Sequence, residues 1–166
     1  MHIVSPVLSE ITYEGASTLK MLERLPADQL AWKPHAKSMS LGTLAWHIAS
    51  IPKVIIRMLD AVEFDVGTAR PAPVAPNSGA EIVEEFKRNF ADIRARVKAF
   101  DDDTIREPFT LKRNGQVLQT MTKIAVLRNI FLNHSIHHRG QLSVYLRLLD
   151  VPLPAIYGTS ADEAMA

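Results

Sequence analysis

Apolar residues return every three or four positions through four separate stretches of this chain, and two of the stripes carry histidine where leucine is expected. The period is helical. Around a first helix from about Pro6 to Arg24, the stripe reads Val4, Leu8, Ile11, Leu19 with Thr18, Leu22 and Leu25, leaving Glu10, Glu14 and Lys20 on other faces. A second helix from near Ser40 to about Val62 reads Leu44, His47 beside Ile48, Ile51, Ile55, Met58 and Val62. Pro52 lies inside it, which predicts a kink or local break.

The third stripe is the cleanest: Ile82, Phe86, Phe90 with Asn89, Ile93, Val97 and Phe100. Ser78 and Glu81 open it with a capping-box pattern. Glu84–Arg88 and Asp92–Arg96 are expected as pairs on its solvated face. A fourth helix, from about Thr122 to Leu149, reads Ile124, Leu127, Phe131, His134, His138, Leu142 with Gln141, Tyr145 and Leu149.

Residues 67–79, with Pro71, Pro73 and Pro76, predict a long extended crossover between the second and third helices. Asn114-Gly115, between Phe109–Arg113 and Gln116–Leu118, predicts a small β-hairpin before the fourth helix. The tail after Asp150, with Pro152, Pro154, Tyr157 and Gly158, reads as irregular. The expected fold is all-α, a four-helix bundle with one long crossover, in a single domain spanning 1–166.

Composition narrows the function classes. A net charge of +1 and no Lys/Arg cluster argue against nucleic acid as a partner. No apolar stretch reaches the roughly 18 residues of a membrane span. The N-terminus lacks the basic and apolar regions of a signal peptide, so a cytoplasmic protein is expected. The chain has no cysteine, which removes disulfides, thiolate nucleophiles and Cys-ligated metal.

The histidines are therefore the best clue to chemistry. His134 and His138 are four residues apart and share a helix face. Two imidazoles at that spacing can reach one ion, but Ser135 comes after His134, so His-Glu-x-x-His chemistry is absent. His47, on another stripe, is the natural third ligand. Three neutral imidazoles with open positions would suit zinc, nickel or a similar divalent ion. The alternative is three core imidazoles, each neutral and hydrogen-bonded. His137 could be a substitute ligand, a support for one, or surface, whereas His2 and His35 are expected in solvent. Gly140 suggests close packing or room beside a ligand, with accident as the alternative. Trp46 and Tyr145 either wall a pocket or are ordinary core aromatics.

The run Asn133-His134-Ser135-Ile136-His137-His138-Arg139-Gly140-Gln141-Leu142-Ser143-Val144-Tyr145-Leu146-Arg147 resembles the last helix of the DinB family. Val151–Gly158 resembles the family's tail beyond that helix, and Leu41-Gly42-Thr43-Leu44-Ala45-Trp46-His47-Ile48 resembles its second-helix motif. The resemblance implies a four-helix bundle holding a zinc or nickel ion on His47, His134 and His138. It also implies homodimers and a small-molecule substrate. Some relatives are thiol-dependent, either bacillithiol S-transferases or a mycothiol-dependent maleylpyruvate isomerase, while the family name refers to damage-inducible expression.

Two classes of function are open to such a chain. One is a metal-dependent enzyme, a thiol S-transferase or hydrolase, that activates a low-molecular-weight thiol or water. Glu14 and His137 are its general-base candidates by residue type alone. The other is a non-catalytic metal- or small-ligand-binding stress-response protein.

Overall fold

A computed structural model describes residues 2–67 and 76–164. Helix α1, Val4–Leu22, begins without a side-chain cap of its own. The Asp102 carboxylate accepts instead from the Ile3 and Val4 amides at 2.8 and 3.3 Å, which satisfies donors that a helix start leaves open. The buried face of α1 is Val7, Ile11, Glu14, Gly15, Ser17, Thr18, Met21 and Leu22. This face is rotated from the expected stripe and takes in Glu14, which periodicity alone puts on an outer face.

Helix α2, Leu41–Leu59, starts on Ser40, whose hydroxyl accepts from the Thr43 amide. It runs unbroken through Pro52. Proline withholds the amide that the Ile48 carbonyl would normally receive. One residue on, the Ala49 carbonyl accepts from the Asn89 side chain at 3.0 Å, which ties α2 to α3. The helix ends three residues short of Val62, which is exposed, and the chain turns into strand β1, Glu63–Asp65.

Most of the expected crossover falls on 68–75, outside the described residues. Helix α3, Gly79–Lys98, opens as expected, with the Glu81 amide donating to the Ser78 hydroxyl. The Glu81 carboxylate reaches back to the Asn77 amide rather than to that of Ser78. The expected i,i+4 ion pairs are replaced. Arg88 pairs with Glu85 and Arg96 reaches Asp60 at the end of α2.

A 3-10 turn, Thr104–Arg106, leads to strands β2, Pro108–Arg113, and β3, Gln116–Thr122. The expected hairpin is present, but β1 adds to it in parallel, giving a three-stranded mixed sheet in the order β1-β2-β3. Asn114 and Gly115 take φ of 51° and 79°, the left-handed pair that a two-residue hairpin turn requires. The Asp65 carboxylate accepts from both their amides, at 2.9 and 2.7 Å, so β1 buttresses the turn. Three residues of β1 are too few to give an alternating signal.

The last helical stretch is composite. A short turn α4, Lys123–Ala125, continues as a π-helical segment, Val126–Leu132, and then as helix α5, Asn133–Leu148. A π turn shifts the register of the stripe beyond it. The buried positions of α5 are accordingly His138, Arg139, Leu142 and Leu146, while Tyr145 and Leu149 are only partly buried.

The chain is mostly helical, with α1 and α2 each packed on both α3 and α5. Among the described residues the apolar interior falls into two clusters. One joins Ile51, Ile55 and Leu59 of α2 to Ile93, Val97, Phe109 and the π segment. The other joins Leu44, Ala45 and Ile48 of α2 to Met21, Leu22, Ile82, Phe86, Leu142 and Leu146. Along the last helix the first cluster ends at Leu132 and the second begins at Leu142. His134 and His138 occupy the gap.

Candidate metal centre

Helices α2 and α5 bring the three histidines together. His47 Nε2 and His134 Nε2 are 3.1 Å apart. Ring centroids are separated by 5.3 Å for His47–His134, 4.6 Å for His47–His138 and 4.3 Å for His134–His138. One ring nitrogen from each residue lies within 4.8 Å of the other two. Two nitrogens bound to one zinc at about 2.0–2.1 Å with a tetrahedral angle are separated by about 3.3 Å, close to the His47–His134 spacing. The ring planes stand at 87°, 88° and 88° to one another.

The helical geometry explains the arrangement. His134 and His138 are one turn apart on α5, and the turn that carries them comes directly after the π segment. π segments recur at functional sites because they re-aim side chains without ending the helix. His47 approaches from α2, whose own stripe continues past it in Leu44, Ile48 and Ile51.

His138 is the buried member and His47 is partly buried. Burial pushes the His138 pKa below the ordinary 6.5; the Gln141 hydrogen bond opposes that shift and nearby His137 adds to it. Burial thus favours the neutral form of His138, the form that binds metal. Its Nδ1 lies 2.7 Å from the Gln141 side-chain oxygen. Gln141 does not stand out in the sequence as a site residue, although its place three residues after His138 on one helix was the available signal.

His137 is exposed and outside the cluster, with its ring centroid 5.0 Å from that of His138. His2 and His35 are exposed, as expected. Tyr145 lies on α5, partly buried. It donates to the Met39 carbonyl at 3.3 Å and meets Trp32 edge-on. Trp46 packs against the second apolar cluster. Gly140 is exposed, and a Cβ there would meet nothing within 4 Å, so close packing does not explain it.

Glu14 is not a free base. Arg139 Nη2 lies 2.7 Å from its Oε2, with the two side chains 4% and 11% exposed. Arg139 Nη1 donates to the Glu14 carbonyl at 3.1 Å and the Thr18 hydroxyl at 3.3 Å. Tyr157, from the irregular tail, donates to Glu14 Oε2 at 2.6 Å and accepts from Arg139. Burial, then the Glu14 hydrogen bond, raises the Tyr157 pKa above its usual 10.0. Only Arg139's neighbouring position links this network to His138 in sequence. A periodic pattern cannot reveal that a glutamate on α1 and an arginine on α5 face each other.

Among the described residues, no helix is long and apolar enough to cross a membrane. The DinB family model matches residues 5–165. The uncharacterized protein YrdA of Bacillus subtilis strain 168 is 25% identical over 151 residues, covering 91% of this chain and 86% of that one. A crystal structure of a DinB-like protein from Bacillus cereus ATCC 10987 superposes with a TM-score of 0.72 at 28% identity, covering 91% of this chain and 95% of that one. A DinB-like protein from Bacillus subtilis, YjoA, shares the fold at a TM-score of 0.68 and 19% identity, covering 90% and 96%. With the family model covering nearly its whole length, the chain belongs to the DinB family.

Proposed function

We propose that this chain is a divalent-metal-dependent enzyme, a single four-helix-bundle domain over 1–166 that holds zinc or nickel on His47, His134 and His138. The reaction is thiol S-transfer or hydrolysis. The observation that carries the reading is the trio of mutually perpendicular imidazoles with ring nitrogens within 4.8 Å of one another. Such a set fits a divalent transition ion, and neutral imidazole is its usual ligand.

When bound, the ion supplies acidity, lowering the pKa of a coordinated thiol or water. The protein's own residues hold the ring nitrogens convergent and keep His138 neutral by burial. The chain has no cysteine, so a thiol nucleophile would arrive with a low-molecular-weight partner. A homodimer in the cytoplasm completes the reading.

The experiment is elemental analysis of tag-free protein after loading with zinc or nickel, then assays with several low-molecular-weight thiols. About one ion per chain, lost in His134→Ala, supports the site. Thiol transfer or hydrolysis that disappears with the ion supports the enzyme. A wild type refractory to both metals sinks the proposal.

One observation favours a second reading, a non-catalytic metal- or ligand-binding stress-response protein. The Glu14 carboxylate, a general-base candidate by type, is engaged by Arg139 and Tyr157. Stoichiometric metal, a large loss of melting temperature on chelation and no thiol-dependent or hydrolytic turnover would select that reading.

A further inference from the structure

We infer that Gln141 is a positioning residue, whose side-chain carbonyl holds the His138 ring as the Nδ1–H tautomer and so turns a lone pair on Nε2 toward His47 and His134. The consequence for the ion rests on the proposed metal site, whereas the tautomer does not.

His138 Nδ1 and Gln141 Oε1 are 2.7 Å apart. A carbonyl oxygen only accepts, so Nδ1 must carry the proton. A neutral imidazole has one N–H, so Nε2 is left as an acceptor. His47 and His134 already face each other through Nε2. With Gln141 on Nδ1, the nitrogen that His138 has left to offer the cluster is Nε2, the same atom. In the opposite tautomer an Nε2–H would project into the cluster, with no lone pair for an ion.

The device is local to one helix. Gln141 lies three residues after His138 on α5, so one turn of backbone sets the reach. A histidine ligand commonly donates its other N–H to a carboxylate, a carbonyl or water, which fixes ring and tautomer. Here an amide does so and adds no charge. Gln141 is exposed, so replacing it removes the acceptor without opening a hole in the core.

The test reads the ring nitrogens directly. Imidazole-labelled full-length protein, stripped of metal, is studied by long-range proton–nitrogen NMR, with His138→Asn assigning the signals. Wild type should show His138 as Nδ1–H. Gln141→Leu should show the other tautomer or a mixture, and Gln141→Glu should retain Nδ1–H. Zinc affinity, measured against a competing chelator, should fall about 10–100-fold in Gln141→Leu and should not fall in Gln141→Glu. An Nε2–H tautomer in wild type, or an unchanged tautomer in Gln141→Leu, overturns the assignment. A changed tautomer with unchanged zinc affinity overturns its link to the ion. A wild type that binds no zinc refutes the metal reading, and the nitrogen signals still decide the role of Gln141.

Discussion

Glu14 and Arg139, separated by 125 residues, meet as an ion pair at 2.7 Å in the interior between α1 and α5. Tyr157 closes over them, donating to Glu14 while its ring lies 5.1 Å from the Arg139 guanidinium carbon. The pair ties both helices and the tail together beside His138. Removing one partner of a buried pair leaves the other charge uncompensated, at a cost of about 3–5 kcal/mol. Glu14→Ala should lower the unfolding free energy by about that amount, measured by denaturant titration. Glu14→Leu with Arg139→Met should recover most of the loss. A single variant as stable as wild type would mean that the pair is not buried in solution.

Two of the helical glycines, Gly15 and Gly140, should respond in opposite directions. Gly140 sits in an α-helix with open space at its Cβ position. Gly140→Ala should stabilise by up to about 1 kcal/mol through helix propensity alone. Gly15 faces the Phe90 ring, which a Cβ would overlap. Gly15→Ala should destabilise by about 1–3 kcal/mol, the usual range for overpacking. Thermal melts of the two variants check both signs.

Metal should stabilise the fold through the three histidines. A ligand that binds only the folded chain adds about 2.7 kcal/mol at a hundredfold excess over Kd. Zinc should therefore raise the melting temperature of wild type in a concentration-dependent way and leave His47→Ala unmoved. An equal rise in His47→Ala would place zinc elsewhere.

At alkaline pH the tail network should weaken. The folded Tyr157 pKa is raised, by burial first and by Glu14 next. A raised pKa means that the folded chain keeps its proton when the unfolded chain has lost it. Its contribution is fully present below about pH 10 and declines as pH rises through the folded value. Denaturation midpoints at rising pH should fall more steeply in wild type than in Tyr157→Phe. Parallel slopes would refute the linkage.

How much of the fold and the site is legible in sequence depends on whether the cause is local. The α3 stripe through Ile82, Phe86, Ile93 and Val97 is buried as expected, because its spacing alone selects one face. The Asn114-Gly115 turn is equally readable, because few residues adopt positive φ. The histidines stand out because imidazole is costly in an apolar stripe without a partner. Partners distant in sequence are not legible. Periodicity puts Glu14 on an outer face because it says nothing about Arg139, and the π segment moves the α5 stripe from Tyr145 and Leu149 toward Arg139 and Leu146.

The sequence by itself therefore determined the helices, the hairpin and the three imidazoles that interrupt two stripes, since each is written in spacing and residue type within one segment. Tertiary structure alone decided the rest. Packing α2 against α5 brings His47 within 3.1 Å of His134, and packing α1 against α5 buries Glu14 on Arg139. It also adds β1 to the hairpin, where Asp65 holds the turn. Those contacts depend on how helices settle against one another, and no periodicity within a segment encodes that.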